Sequence, residues 1–259
     1  MIVVTGATGN VGRPLVEALT AAGEEVRAVS RKGPVPGDLS DASSLRPAFS
    51  GATAVFLLLP PGFQGPLEPV LSQVDGARVV LLSSQGVGTG RHPSFFEDAL
   101  RASGLKWTVL RAGGFASNAF QWAESVRYSR TLAAPFGDVA LPVIDPSDIA
   151  EVAAAVLVDP SHAGQTYELT GPALISPRDQ AAAIGTALGE PIEFVPQTRE
   201  EARSDMSGFM PAEVAEATLD ILGSPSPAEQ RVSPDVARVL GRPPRTFADW
   251  AARNAVAFK

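Results

Sequence analysis

Glycines stand at positions 6, 9 and 12 of a 259-residue chain, in the run Thr5-Gly6-Ala7-Thr8-Gly9-Asn10-Val11-Gly12. Their spacing is G-x-x-G-x-x-G where the standard dinucleotide fingerprint has G-x-G-x-x-G, but the physical demands are the same. Gly6 admits a tight turn, Gly9 lets the backbone approach a pyrophosphate, and Gly12 lets the following helix lie close against its strand. A helix that starts here aims unpaired N–H groups and a partial positive charge at phosphates. The chemistry of such a loop is to hold a dinucleotide.

The second test lies about twenty residues on, where an acidic side chain would bind the ribose 2′-OH of NAD and an arginine would accommodate the 2′-phosphate of NADP. The chain reads Ser30-Arg31-Lys32 there, with no Asp or Glu at the strand end. NADP(H) is favoured over NAD(H), the alternative being that Arg31 and Lys32 form a solvated basic pair. Asp38 and Leu39, after Pro36-Gly37, can flank the adenine, and Asp38 can equally close a turn.

These residues need a scaffold, and the apolar pattern supplies one. Ile2–Val4, Val26–Val29, Val55–Leu59, Val79–Leu82 and Trp107–Leu110 are short apolar runs bounded by turn residues, as in parallel strands covered on both faces. Val11, Leu15, Ala18, Leu19 and Ala22 recur at helical spacing until Gly23, and Leu67–Asp75 and Phe95–Ala102 are further helical stretches. Ile149, Val152, Ala153, Val156 and Leu157 make a helical stripe with Asp145 or Ser147 as its N-cap. Tyr167–Thr170 reads as a late strand and Pro177–Leu188 as a helix.

The alternation predicts an α/β fold, a Rossmann-type doubly wound parallel sheet. Beyond Gly189 eight prolines cut the chain into short helical pieces. We expect a single NAD(P)-binding domain over 1–259, in which residues from about 190 form a small, mostly helical C-terminal lobe on the substrate side.

Composition removes several chemistries. The absence of Cys excludes thiol nucleophiles and cysteine-ligated zinc, and His92 and His162 lie seventy positions apart, so no metal site is expected. A net charge of -7 argues against nucleic acid as a partner. The apolar run opening the chain is too short for a signal peptide, and the longest, Ala54–Leu59, is far below the roughly 20 residues of a membrane span. A cytoplasmic protein without membrane association is expected. Of the 21 basic residues only three are Lys, and there are only two Tyr, Tyr128 and Tyr167.

Taken together, the chain resembles the short-chain dehydrogenase/reductase superfamily, and specifically its atypical NmrA-like branch of quinone reductases, triphenylmethane-dye reductases, tailoring enzymes and cofactor sensors. The segments that carry the likeness are TGATGNVG at 5–12, SR at 30–31, GDL at 37–39 and SS at 83–84. SGLKWTVLRAGGFASN at 103–118, DPSDIAEVAAAVL at 145–157, YELTGP at 167–172 and TFADWAARN at 246–254 continue it. The resemblance implies cofactor contacts at Gly6, Thr8, Gly9, Asn10, Val11, Arg31 and Asp38. It implies further ones at Leu59 and Pro60, at Ser83 and Ser84, and at Gly113 to Phe115 near the nicotinamide.

Standard members of that superfamily use a Tyr-x-x-x-Lys pair, in which Lys lowers the phenol pKa for proton transfer. Neither Tyr here has a Lys four residues later, and Phe96 and Leu100 stand where the pair would be expected. A conjugated acceptor such as a quinone or dye delocalises the incoming charge and asks mainly for orientation of the nicotinamide. Proton delivery then falls to His92, Ser84 or water. An imidazole, with an ordinary pKa of about 6.5, suits acid work at neutral pH, although a His before Pro93 also reads as a surface residue.

Phe95, Phe96, Phe115, Phe120, Trp122 and Phe136, with Met206, Phe209 and Met210, offer an apolar wall for a planar aromatic substrate, with Phe96, Phe115, Phe120 and Trp122 preferred. Many of them can equally be core. Glu97 reads as a solvated helix residue and Arg111 as a structural ion-pair partner.

The expected function is an NAD(P)H-dependent oxidoreductase on a quinone-like or polycyclic aromatic small molecule in specialised metabolism, with oligomeric state left open. A monooxygenase-like tailoring step on an aromatic polyketide-type substrate and a non-catalytic NAD(P)-sensing regulator are the alternatives.

Overall fold

Ile2–Thr5 (β1) is buried at every position and pairs in parallel with two neighbours, Val26–Ser30 (β2) and Ala54–Leu58 (β4). Val35–Pro36 (β3) extends the sheet beyond β2. Arg78–Ser84 (β5), Trp107–Ala112 (β6) and Thr166–Leu169 (β8) extend it beyond β4. The order is β3-β2-β1-β4-β5-β6-β8 with every pairing parallel, so the expected doubly wound sheet is observed. The computed structural model describes residues 1–60, 62–208 and 210–259, and the expectation for Phe209 lies outside them.

Burial on both faces explains why these strands read as unbroken apolar runs. Val3, Val55, Leu57, Val79, Leu81 and Val109 point to one face, sharing a core with Phe49 of Arg46–Phe49 (α2), Val70 and Leu71 of Glu68–Leu71 (α3), and Leu100 of Phe95–Ala102 (α5). Ile2, Val4, Phe56, Val80 and Leu110 are buried on the other face. Gly12–Ala21 (α1) packs against Pro146–Val158 (α7), which also meets β4, β5 and β6.

Clustering of contacts separates the chain into two units. The first holds residues 1–112, 146–169 and 235–242, and the second 113–145, 170–234 and 243–259. Within the first, Asp235–Leu240 (α11) lies against α7 and β8, and Asp235 Oδ2 accepts the Glu168 N–H at 2.8 Å. Arg242 pairs with the fully buried Asp148 at 2.8 Å and with Glu151.

The second unit is built around Ala123–Ser129 (α6), Pro177–Leu188 (α8), Phe247–Asn254 (α12) and a parallel two-stranded sheet of Thr131–Pro135 (β7) and Glu193–Gln197 (β9). Val126, Leu132, Ala134, Ile184, Trp250 and Phe258 form its core. Ser176 caps α8 in a reciprocal box with Asp179, and Gly189 ends it in the left-handed conformation. Arg199–Met206 (α9) and Ala212–Gly223 (α10) pack on each other. Among the described residues no helix is long and apolar enough to cross a membrane.

Four differences from the sequence expectations have local causes. The helix expected over Leu67–Asp75 is confined to Glu68–Leu71, because the chain then tightens through Val70 and Leu71 carbonyls into the Gly76 turn at φ +67°. β7 and β9 were not expected, since each carries a proline, which an edge strand tolerates where its N–H would face away from the ladder. Of the two residues offered as caps for α7, only Ser147 is displaced, lying inside the helix, while Asp145 stands just before it, buried and ion-paired to Arg253. The lobe expected from about 190 onward draws also on 113–145 and 170–189, while 235–242 belongs with the sheet.

Candidate functional site

The glycine loop follows β1 at the carboxyl edge of the sheet, beside the point where the strand order turns from β2 to β4. Gly6 holds φ +62°, and its carbonyl accepts the Gly9 N–H at 3.0 Å. A Cβ on Gly12 would fall 2.1 Å from the Gly6 oxygen, so only glycine lets α1 begin this close to the strand. Thr5 locks the base of the loop: its hydroxyl donates to Phe56 O at 3.1 Å and accepts the Leu58 N–H at 2.9 Å. Val11 is buried, and Thr8, Gly9 and Asn10 form an exposed crest.

The N-terminus of α1 has Val11 at its cap, no capping side chain and no acid in its first turn. Most helices satisfy those N–H groups with a side-chain oxygen. Here no side chain takes that place; the Arg13 N–H turns back to Gly9 O at 3.1 Å and Pro14 has none, so the glycine loop and the partial positive end of α1 are what a pyrophosphate would meet. Arg31, in the turn after β2, is exposed, and among the described residues no carboxylate pairs with it. The glycine cradle, the uncapped helix and Arg31 fit a 2′-phosphorylated dinucleotide.

Asp38 accepts the Ser40 N–H at 2.9 Å and donates its own N–H to Ser44 Oγ at 3.0 Å, which makes it a turn residue in this structure. Leu39 and Leu59 are half-buried against the sheet core, and Pro60 is half-buried at the β4 end.

Ser83 and Ser84 end β5 and point in different directions. Ser84 caps Gln85–Gly88 (α4) by accepting the Gly86 N–H at 3.1 Å, and its Oγ lies 2.9 Å from Nδ1 of the exposed His92. The imidazole sits against the bare Cα of Gly86, where a Cβ would come within 2.4 Å of Nδ1. The two residues singled out for proton delivery are thus brought together, and the glycine between them makes room for the ring.

Ser83 turns the other way and donates to Glu97 Oε1 at 2.7 Å. Glu97, expected to be solvated, is only 1% exposed. Arg111, opposite Ser83 in the strand register, grips it with Nε at 2.9 Å and Nη2 at 2.7 Å, and Arg101 adds a bond at 2.8 Å. Burial opposes the charge on Glu97, but the hydrogen bonds from Arg111, Ser83 and Arg101 together outweigh it and hold the carboxyl below its ordinary value. The same bonds from Glu97 raise the Arg111 pKa. The sequence offered one signal for this cluster, the Glu97–Arg101 spacing, which reads as a surface pair.

On α5, Phe96 and Leu100 hold the positions expected for a Tyr-x-x-x-Lys pair. Leu100 is fully buried, and Phe96 packs on that core and on Phe63 and Phe95, with ring centroids 5.6 and 4.3 Å away.

The remaining expected residues belong to the second unit. Gly113 is half-buried, Gly114 O accepts the Ile144 N–H at 2.8 Å, and Phe115 bridges Ile144. Phe120 is 37% exposed and lies 4.9 Å from Trp250 and 6.0 Å from Phe258, and Trp122 packs on the same core. Much of the surface of Phe120 and Trp122 therefore serves packing within that unit.

A family model described as NAD(P)H-binding matches residues 6–160. Over its whole length the chain is 34% identical to the (4-alkanoyl-5-oxo-2,5-dihydrofuran-3-yl)methyl phosphate reductase of Streptomyces griseus, covering 99% of that protein. It is 30% identical to the NAD(P)H azoreductase of Xenophilus azovorans, with the same coverage. Among solved structures, the NADPH-dependent quinone oxidoreductase QOR2 of Escherichia coli complexed with NADPH matches with a TM-score of 0.82 at 21% identity, covering 98% of this chain and 99% of that one. The triphenylmethane reductase of Citrobacter sp. complexed with NADP(H) matches with a TM-score of 0.80 at 21% identity and the same coverage. At that identity the two structures establish a common fold.

Proposed function

The chain belongs to the NAD(P)H-binding, NmrA-like branch of the atypical short-chain dehydrogenases/reductases, and on that premise we propose that it is an NADPH-dependent reductase of small conjugated acceptors, quinone-like or polycyclic aromatic. The observation that carries this reading is α5, where Phe96 and Leu100 are given to packing in place of a phenol and its lysine. Without that phenol–lysine pair, an acceptor that delocalises the incoming charge suits the site best, with a proton still to be supplied from elsewhere. The names of the two full-length relatives point to an azo compound and an alkanoyl dihydrofuranone as their substrates. Both fit that requirement, and a tailoring step on such a compound is the metabolic setting we favour.

Gly6, Gly9, Gly12 and the start of α1 would hold the pyrophosphate, Arg31 the 2′-phosphate, and Leu59 and Pro60 the adjoining edge of the cofactor. When bound, the nicotinamide supplies the hydride. A quinone then needs one proton to become a hydroquinone. Ser84 occupies Nδ1 of His92, which leaves Nε2 as the nitrogen that gives the proton, and the exposed ring regains it from solvent.

The test is anaerobic oxidation of NADPH with a panel of quinones, an azo dye and a conjugated dihydrofuranone. We expect turnover with at least one and a fall in kcat of about 100-fold in His92→Gln. Tight NADPH binding without turnover on any acceptor would instead support a cofactor sensor, and oxygen consumption coupled to hydroxylation a monooxygenase-like enzyme.

A further inference from the structure

We propose that Glu97 is a positioning residue, which through Ser83 and Arg111 sets the place of the Ser84–His92 pair. The proposal rests on the reading of that pair as the proton route. Burying the Glu97 carboxylate beneath two partly exposed guanidinium groups stabilises a fold no better than an apolar side chain of similar volume, so the carboxylate calls for another reason to be there.

Three attachments lead from Glu97 to the segment that carries the pair. Ser83 precedes Ser84 directly, and its bond to Glu97 Oε1 at 2.7 Å pins the last residues of β5 to α5. Arg111 holds both carboxylate oxygens and reaches under α4: a Cβ on Gly88 would lie 3.0 Å from Arg111 Nη1 and 3.2 Å from Glu168 Oε1. The helix whose cap is Ser84 and whose Gly86 backs the imidazole therefore rests on the residue that Glu97 orients. Glu97 itself lies in the first turn of α5, five positions after His92, so the far end of the segment is tied to the same carboxylate.

One set of variants tests this with NADPH and a quinone: Ser83→Ala, Ser83→Thr, Glu97→Gln and His92→Gln, each followed by kcat, the KM for NADPH and the kcat–pH profile. Ser83→Ala removes a single hydroxyl and keeps the ion pair, so it decides the matter if Glu97→Gln folds poorly. We expect Ser83→Ala to lower kcat about tenfold and to change the KM for NADPH by less, because the Ser83 hydroxyl is turned to Glu97. It should also displace the limb of the pH profile that His92→Gln abolishes, and Ser83→Thr should restore both. A purely structural cluster would lower thermal stability without moving that limb. If His92→Gln lowers kcat while Ser83→Ala and Glu97→Gln keep the wild-type limb, the positioning role is wrong and the proton route stands. If His92→Gln leaves kcat unchanged, the proton route fails and the positioning role falls with it.

Discussion

His92 Nδ1 lies 2.9 Å from Ser84 Oγ, and the space its ring occupies exists because the residue at position 86 has no side chain. The Ser84 oxygen already accepts the Gly86 N–H, so the hydroxyl is oriented before the imidazole arrives. Either protonation state of the ring is satisfied: a neutral Nδ1 accepts the hydroxyl hydrogen, and a protonated one donates to the remaining lone pair. The pair can therefore take up and lose a proton without breaking its geometry.

Gly86→Ala separates this arrangement from the fold. The added methyl would meet the whole imidazole of an exposed side chain, Nδ1 at 2.4 Å and Cγ and Cε1 at 2.7 Å, and not backbone, so the ring must rotate away from Ser84 while the fold keeps its place. We expect a stability change below about 1 kcal/mol and a kcat lowered to near that of His92→Gln. Unfolding and steady-state kinetics on the same preparation check it, and unchanged kcat would remove His92 from the reaction.

Gly12→Ala is the opposite case, since the clash at 2.1 Å is with the Gly6 carbonyl and cannot be relieved by a rotamer. The start of α1 must move off β1 and take the phosphate cradle with it. We expect NADPH affinity to fall at least about 100-fold and stability by about 1–3 kcal/mol. Isothermal titration with NADPH and thermal unfolding would show both.

Arg31→Ala addresses the choice of cofactor. The guanidinium has no competing carboxylate among the described residues, so its charge is available to the 2′-phosphate. Losing a hydrogen bond to a charged group costs about 1.5–3 kcal/mol, which is roughly 10- to 100-fold in affinity. The KM for NADPH should rise by that factor with the KM for NADH unchanged. Equal effects on both cofactors would assign Arg31 to the solvated basic pair that the sequence equally allows.

What the sequence shows and hides here follows from the range of the constraint. The glycine loop is legible because turn, close approach and helix start all fall within seven residues. β1, β2, β4, β5 and β6 are legible because burial on both faces demands continuous apolar runs. β7 and β9 are hidden by Pro135 and Pro196, which read as breakers until pairing places them in a small two-stranded sheet. Glu97 is hidden more deeply. Its partners Ser83 and Arg111 each lie fourteen positions away, and only the register of β5 on β6 brings them side by side. The aromatic residues divide the same way: their type suggested a substrate wall, while Trp250 and Phe258, which take up much of Phe120, come from the far end of the chain.

The buried carboxylate also makes a prediction about acid. Burial works against the ionised form of Glu97, yet Arg111, Ser83 and Arg101 hold its pKa below the ordinary carboxylate value of 4.5. A carboxyl depressed in the folded state contributes stability that is present in full above its unfolded pKa and is lost as pH falls through the folded one. Glu97→Gln deletes that contribution while nearly preserving shape, leaving Arg111 without its bidentate partner. The wild-type protein should exceed the variant in unfolding free energy at neutral pH by about 1–2 kcal/mol, since the arginines left behind are partly exposed to water. The gap should hold down to about pH 5 and then close as Glu97 itself becomes protonated and resembles the amide. Urea unfolding of both proteins across the acid range measures it. A gap that stays constant below the ordinary carboxylate range would mean that it does not arise from the ionised form of Glu97.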